Sequence, residues 1–95
     1  MSKPKGFRIY HILVSHKYEA EDLLRLLNSG KSFSSLALKY SLCSSGKSGG
    51  ELTHFNWNSL DEDFKEAVEN LPLEKITTQP IRTKFGYHLI LKKSA

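Results

Sequence analysis

Two histidines sit alone in the middle of apolar runs, and the single cysteine sits among serines and glycines. His11 lies within Arg8-Ile9-Tyr10-His11-Ile12-Leu13-Val14, and His88 within Phe85-Gly86-Tyr87-His88-Leu89-Ile90-Leu91. Cys43 lies in Leu42-Cys43-Ser44-Ser45-Gly46-Lys47-Ser48-Gly49-Gly50. Imidazoles can move protons or anchor a hydrogen-bond network. A thiol beside an imidazole base can act as a nucleophile. That hydrolase chemistry is poorly supported, because neither an oxyanion-hole motif nor an orienting carboxylate accompanies Cys43. A lone histidine in a buried strand is more often a satisfied core residue, and a cysteine a small buried apolar group. His16 and His54 read as surface residues. With His11 they form no metal-ligand spacing, and no metal is expected.

The elements that must position these groups follow from periodicity. The two histidine-bearing runs are aliphatic and aromatic, as strands are, and they open and close the chain. Chain termini tend to lie close together, so the two strands are expected to pair and bring His11 and His88 onto one face. Between them, Ser15-His16-Lys17 leads into a helix whose first turn carries Glu19, Glu21 and Asp22. Its buried stripe is Ala20, Leu23, Leu24 and Leu27, and Gly30 ends it. Ser32 caps a second helix with Phe33, Leu36, Ala37 and Tyr40 on one side. Leu42 to Gly50 is loop, Glu51 to Phe55 a short edge strand, and Asn56 to Ser59 a loop with Trp57 half exposed. Leu60 begins a third helix, with Phe64, Ala67, Val68 and Leu71 inward, ended by Pro72. Thr77 to Arg82 is a short strand, joined to the last by a tight turn through Thr83-Lys84-Phe85-Gly86. The fold class is α+β, with a four-stranded, mostly antiparallel sheet under helices.

Composition sets the bounds. The chain has 95 residues, 39% hydrophobic and 25% charged, the make-up of one ordinary globular domain. Residues 1–7 read as a flexible basic tail and residues 8–95 as the domain. No apolar run approaches a membrane span, no signal peptide is recognisable, and one cysteine permits no internal disulfide. An intracellular, cytoplasmic protein is the resulting expectation. The net charge of +4 allows weak attraction to nucleic acid, but Lys and Arg are scattered, which favours a solvated surface.

Four strings then carry a resemblance. His11-Ile12-Leu13-Val14, Ser41-x-Cys43 leading into Gly49-Gly50-Glu51-Leu52, and Phe85-Gly86-Tyr87-His88 occur in order, with Phe33-x-x-Leu36-Ala37 and Phe64 in step. From about residue 8 to residue 92 the chain resembles a parvulin-type peptidyl-prolyl cis/trans isomerase (rotamase) domain, in its small single-domain form. The resemblance implies a sheet with the first and last strands central, in the order 2-1-4-3, covered by about four helices. It implies that His11, Cys43 and His88 form the active-site network with Thr83 hydrogen-bonding nearby. It implies that Leu52, Leu60 and Phe64, with Phe85, contact substrate. Leu60 departs from the methionine common in the family, a swap of similar volume.

The resemblance further implies a monomeric enzyme of protein folding, chaperone-like, acting on proline-containing polypeptides without a cofactor. Rotation about X–Pro breaks no bond, so a non-covalent route is expected. The loop Ser15-His16-Lys17-Tyr18-Glu19-Ala20-Glu21 offers a phosphate one lysine beside two acids. No phosphate requirement is therefore expected, with apolar or basic residues preferred before proline. The alternative is a non-catalytic module that binds proline segments or nucleic acid.

Overall fold

The computed structural model describes residues 6–53 and 55–95; the surface reading of His54 and most of the proposed tail lie outside those residues. Strands β1 (Phe7–Val14) and β4 (Gly86–Ser94) pair antiparallel over their length, from Phe7↔Ser94 to Val14↔Tyr87. On the other side of β4 lie β2 (Lys75–Ile76) and β3 (Ile81–Thr83), both antiparallel to it. The outer edge of β1 meets Glu51 in a single bridge at Tyr10, flanked by His11 N–H to the Gly50 carbonyl and Leu52 N–H to the Ile9 carbonyl, each 2.9 Å.

With the Glu51 segment counted second and the segment ending at Thr83 third, as the sequence is read, the order 2-1-4-3 holds, with two departures in detail. The edge strand read over Glu51 to Phe55 is reduced to that bridge. Of the strand read over Thr77 to Arg82, only Ile81 and Arg82 are in the ladder, as part of β3; a separate short piece, β2, precedes that span, and the chain leaves the ladder between them. Pro80, which has no N–H to give, lies in that gap. Thr77 still holds on, its N–H donating to the Ile90 carbonyl and its hydroxyl accepting the Ile90 N–H at 3.1 Å.

Alternation along the two central strands sends neighbours to opposite faces. Ile12 and Leu89 face helices α1 (Lys17–Asn28) and α2 (Phe33–Tyr40), where they pack with Ala20, Leu23, Phe33 and Leu36. Ile9 and Ile90 face helix α3 (Glu62–Asn70), packing with Phe64, Val68 and Leu71. Helices α1 and α2 begin where the sequence predicts. The His16 N–H donates to the Glu19 carboxylate at 2.9 Å, and Ser32 Oγ accepts the Ser35 N–H at 3.2 Å. Short 3-10 turns at Ser44–Ser48 and Trp57–Ser59 complete the helical content among the described residues.

Four local expectations are corrected. Trp57 is only 7% exposed and belongs to the α3-side core, because the turn after Asn56 carries it inward. Tyr40, at the last turn of a helix of 8 residues, is 42% exposed rather than part of the stripe. Helix α3 starts at Glu62, capped by the Asp61 carboxylate on the Asp63 N–H at 2.9 Å, so Leu60 precedes it in extended backbone. Phe85 sits in the β3–β4 turn, 63% exposed, and not in the buried strand. Among the described residues no helix is long and apolar enough to cross a membrane.

Gly50 is structurally demanding at the edge beside the site. Gly50 has φ +90°, and a Cβ there would stand 2.6 Å from the His11 carbonyl oxygen. Gly50→Ala combines a left-handed strain with a backbone clash at the edge of β1. The expected cost is about 2–3 kcal/mol, roughly 10–20 °C in melting temperature by circular dichroism. A shift of only a few degrees would show that the junction yields.

Candidate active site

The β1–β4 register places His11 opposite Ile90 and Leu13 opposite His88, so the two histidines are diagonal neighbours on the α3 face. Both are 5% exposed. Their rings are nearly parallel, 17° apart with centroids at 5.3 Å, and Nδ1 of one is 3.1 Å from Nδ1 of the other. His11 Nε2 is 3.1 Å from Ser45 Oγ, and His88 Nε2 is 2.7 Å from Thr83 Oγ1. Thr83 Oγ1 also accepts the Phe85 N–H at 3.2 Å. Phe64 closes the arrangement from α3, edge-on to both imidazoles at 5.5 and 5.1 Å.

This chain of contacts spans four residues, and its proton count is informative. Burial, reinforced by the nearby His88, lowers the pKa of His11 from the usual 6.5 to about 4. Burial also lowers His88 to about 4, against the opposing pull of the Asp61 carboxylate. Both rings are thus neutral near pH 7, and one proton is available for the Nδ1–Nδ1 contact. If His11 donates there, Ser45 donates to His11 Nε2 and His88 Nε2–H donates to Thr83. If His88 donates, every step reverses and Thr83 donates to His88. Either polarity satisfies all four ring nitrogens. None remains to deprotonate a thiol.

Cys43 lies half-buried at the same cavity. Its loop is stitched to β1, Leu42 N–H donating to the Leu13 carbonyl at 2.8 Å and Leu13 N–H to Ser41 Oγ at 3.1 Å. The Cys43 N–H donates to the same Ser41 hydroxyl at 3.3 Å. The cavity has a volume of about 270 Å³. His11, His88 and Cys43 form part of its wall, and Leu52, Leu60 and Phe64 give the apolar side. Phe85 stands at its lip, while Thr83 reaches the site through His88. The structure thus brings together every residue singled out from the sequence. It adds Ser45 and Asp61, which sequence reasoning misses. Ser45 is one of several similar serines in its loop, and Asp61 carries only a capping signal.

Such a site can enclose a small apolar ring and present it to neutral, fixed dipoles.

The match to known proteins agrees. The family model of the rotamase or PPIC-type PPIase domain matches residues 11–94. Foldase protein PrsA 1 of Lactobacillus johnsonii is 42% identical over 85 residues, covering 86% of this chain and 28% of that protein. The putative peptidyl-prolyl cis-trans isomerase Cbf2 of Campylobacter jejuni is 37% identical over 100 residues, covering 98% of this chain and 37% of that one. The chain spans roughly a third of these relatives. Among solved structures, NmPin, the parvuline of Nitrosopumilus maritimus, superposes with a TM-score of 0.80 at 33% identity, covering 97% of this chain and 100% of that one. PrsA from Bacillus subtilis gives a TM-score of 0.85 at 37% identity, covering 95% of this chain and 36% of that one. With the motif residues gathered around one apolar cavity and the family model matched from His11 to Ser94, this chain belongs to the PPIC-type, or parvulin, family of peptidyl-prolyl isomerases.

Proposed function

We propose that this domain accelerates cis/trans rotation of X–Pro bonds in unfolded segments and exposed loops, non-covalently and without requiring a phosphate. The observation that carries this reading is an apolar cavity walled by a neutral histidine pair whose ring nitrogens are all engaged. Peptide rotation faces a barrier of ~18–20 kcal/mol that comes from amide resonance. The twisted transition state has lost the charge separation of the planar amide, so an apolar enclosure disfavours the planar state relative to it. Leu52, Leu60 and Phe64 hold the proline ring, with Phe85 at the entrance, while the preceding carbonyl swings. His11, His88 and Thr83 hold the wall in shape, and Cys43 lines it as a small polarisable group.

The test is magnetisation-exchange NMR on short X–Pro peptides, unphosphorylated, with sub-stoichiometric protein. Exchange well above the uncatalysed rate supports the proposal; peptide binding with exchange at the blank rate makes this a binding module. The relatives' names, foldase and isomerase, accord with a role in protein folding. Action as a monomer is part of the proposal, supported by a site assembled within one chain, and sedimentation tests it. A reducing compartment such as the cytoplasm is also part of it, since the pocket thiol is free.

Cys43 discriminates the mechanisms. A covalent route needs the thiolate, and Cys43→Ser would then lose about a thousandfold or more in turnover. The non-covalent route predicts that Cys43→Ser and Cys43→Asp, checked for folding, stay within roughly tenfold of the native rate at neutral pH. Loss of activity in both with intact folds would establish a nucleophile.

A further inference from the structure

We propose that Asp61 makes the proline cavity selective for a cationic side chain on the residue that follows the substrate proline. Among the described residues lining the cavity, Asp61 is the only acidic or basic side chain besides the two neutral histidines. The wall around it is largely apolar, given by Leu52, Leu60 and Phe64. A charge against such a wall is screened less than one in open water.

The fold holds this carboxylate in place. The chain runs through Leu60 in extended backbone, and Asp61 then caps α3, its Oδ1 accepting the Asp63 N–H at 2.9 Å. That bond leaves Oδ2 without a hydrogen-bond partner among the described residues. Asp61 is half-buried, and no lysine or arginine among those residues is ion-paired with it. Lys65, one turn further along α3, pairs with Glu62 at 2.9 Å, and Lys84 rests 5.3 Å from the centre of the Phe85 ring. The Asp61 charge is felt inside the site, where it opposes the lowering of the His88 pKa by burial. Capping alone does not call for a carboxylate, since Ser, Thr and Asn serve a helix start as well. The charge is what Asp61 adds, and it is added at the cavity wall.

The reaction decides which substrate residue this charge serves. With the proline ring held and the preceding carbonyl swinging, the residue before proline changes place at every turnover, while the residue after it stays with the ring. An ion pair to the moving side would be made in one isomer and broken in the other, which opposes rotation. An ion pair to the stationary side persists from ground state through transition state and strengthens both equally. Asp61 directly follows Leu60, one of the residues that hold the ring, and so belongs with the stationary side. Lys or Arg after proline should therefore lower KM and leave kcat unchanged.

The inference rests on the isomerase reading and is tested with peptides blocked at both ends, Ala-Ala-Pro-Xaa in which Xaa is Lys, Gln or Glu. At low salt kcat/KM for the Lys peptide is expected to exceed that for Gln by roughly threefold, through KM, with Glu slowest and the difference fading near 0.5 M salt. Attraction by the whole protein, with its net charge of +4, would give the opposite order, so the Lys advantage reports a local carboxylate. Asp61→Asn, which keeps a capping acceptor, should bring the Lys and Gln peptides level; should it fold poorly, Asp61→Ser gives the same reading. Equal rates for Lys and Gln in the native protein, a faster Glu peptide, or a Lys advantage that survives in Asp61→Asn would overturn the inference and leave the isomerase reading intact. The pair Ala-Lys-Pro-Ala and Ala-Gln-Pro-Ala checks the placement: an equal or larger Lys advantage there would overturn the assignment to the residue after proline. If no peptide is turned over, the isomerase reading fails; NMR titration with the same peptides then decides the selectivity by whether Ala-Ala-Pro-Lys binds tighter than Ala-Ala-Pro-Gln.

Discussion

Replacing His11 or His88 by alanine is expected to lower stability and isomerase rate together, with the double variant losing less than the sum of the singles. Each single change strands the partner's Nδ1 and leaves either Ser45 or Thr83 without its imidazole. A buried polar group left unpaired costs about 1–3 kcal/mol. The double variant strands no Nδ1, so the shared contact is not lost twice. Acid unfolding gives an independent reading of the same pair. The folded-state pKa of both rings lies at about 4, below the usual 6.5. As pH falls through 6.5 the unfolded chain takes up protons that the folded chain refuses. Stability therefore rises with pH between about 4 and 6.5, is fully present above that window, and levels off below it. The expected loss across the window is roughly 1–3 kcal/mol per histidine, similar for the two because both lie at about 4. Urea unfolding at several pH values measures it, and the double alanine variant should show a much flatter profile. Additive losses of activity with unchanged stability would mean that the two rings act separately and directly on substrate.

Phe64 is the position where fold and site are most tightly joined. Its ring is 3% exposed, packs in the α3-side core, and stands edge-on to both imidazoles. Truncation to alanine opens a cavity under the histidine pair and is expected to cost about 3–5 kcal/mol. Domains of this size have only about 5–15 kcal/mol in total, so a melting temperature lower by on the order of 15–30 °C should follow. Such a loss does not by itself separate core from pocket. Phe64→Leu does, because it keeps most of the apolar volume while removing the aromatic ring from the cavity wall. The expected result is a modest change in melting temperature with kcat/KM for X–Pro exchange lower by roughly tenfold. A Phe64→Leu protein with native kinetics would reduce Phe64 to a core residue.

Much of this site is legible in the amino-acid sequence alone. Alternating and aliphatic runs around His11 and His88 announce two buried strands, because a side-chain period of two reports which residues share a face. The stripes Ala20-Leu23-Leu27 and Phe33-Leu36-Ala37 announce two helices by the same reasoning at period 3.6. Those elements and the family strings suffice to gather His11, Cys43, His88, Leu52, Leu60 and Phe64 in one place. What periodicity reports, however, is one face of one element. It holds no information on the path of a loop or on partners far apart along the chain. Only the tertiary structure chooses Ser45 from its neighbours as the partner of His11, since that depends on how the Ser44–Ser48 turn docks on β1. It alone turns Trp57 inward, because the indole's burial depends on the α3-side core that the preceding loop meets. And it alone sets Arg82 and Lys84 beside Lys17, because electrostatic neighbours are fixed by distance in space, which the antiparallel closure of β3 on β4 supplies and sequence separation conceals.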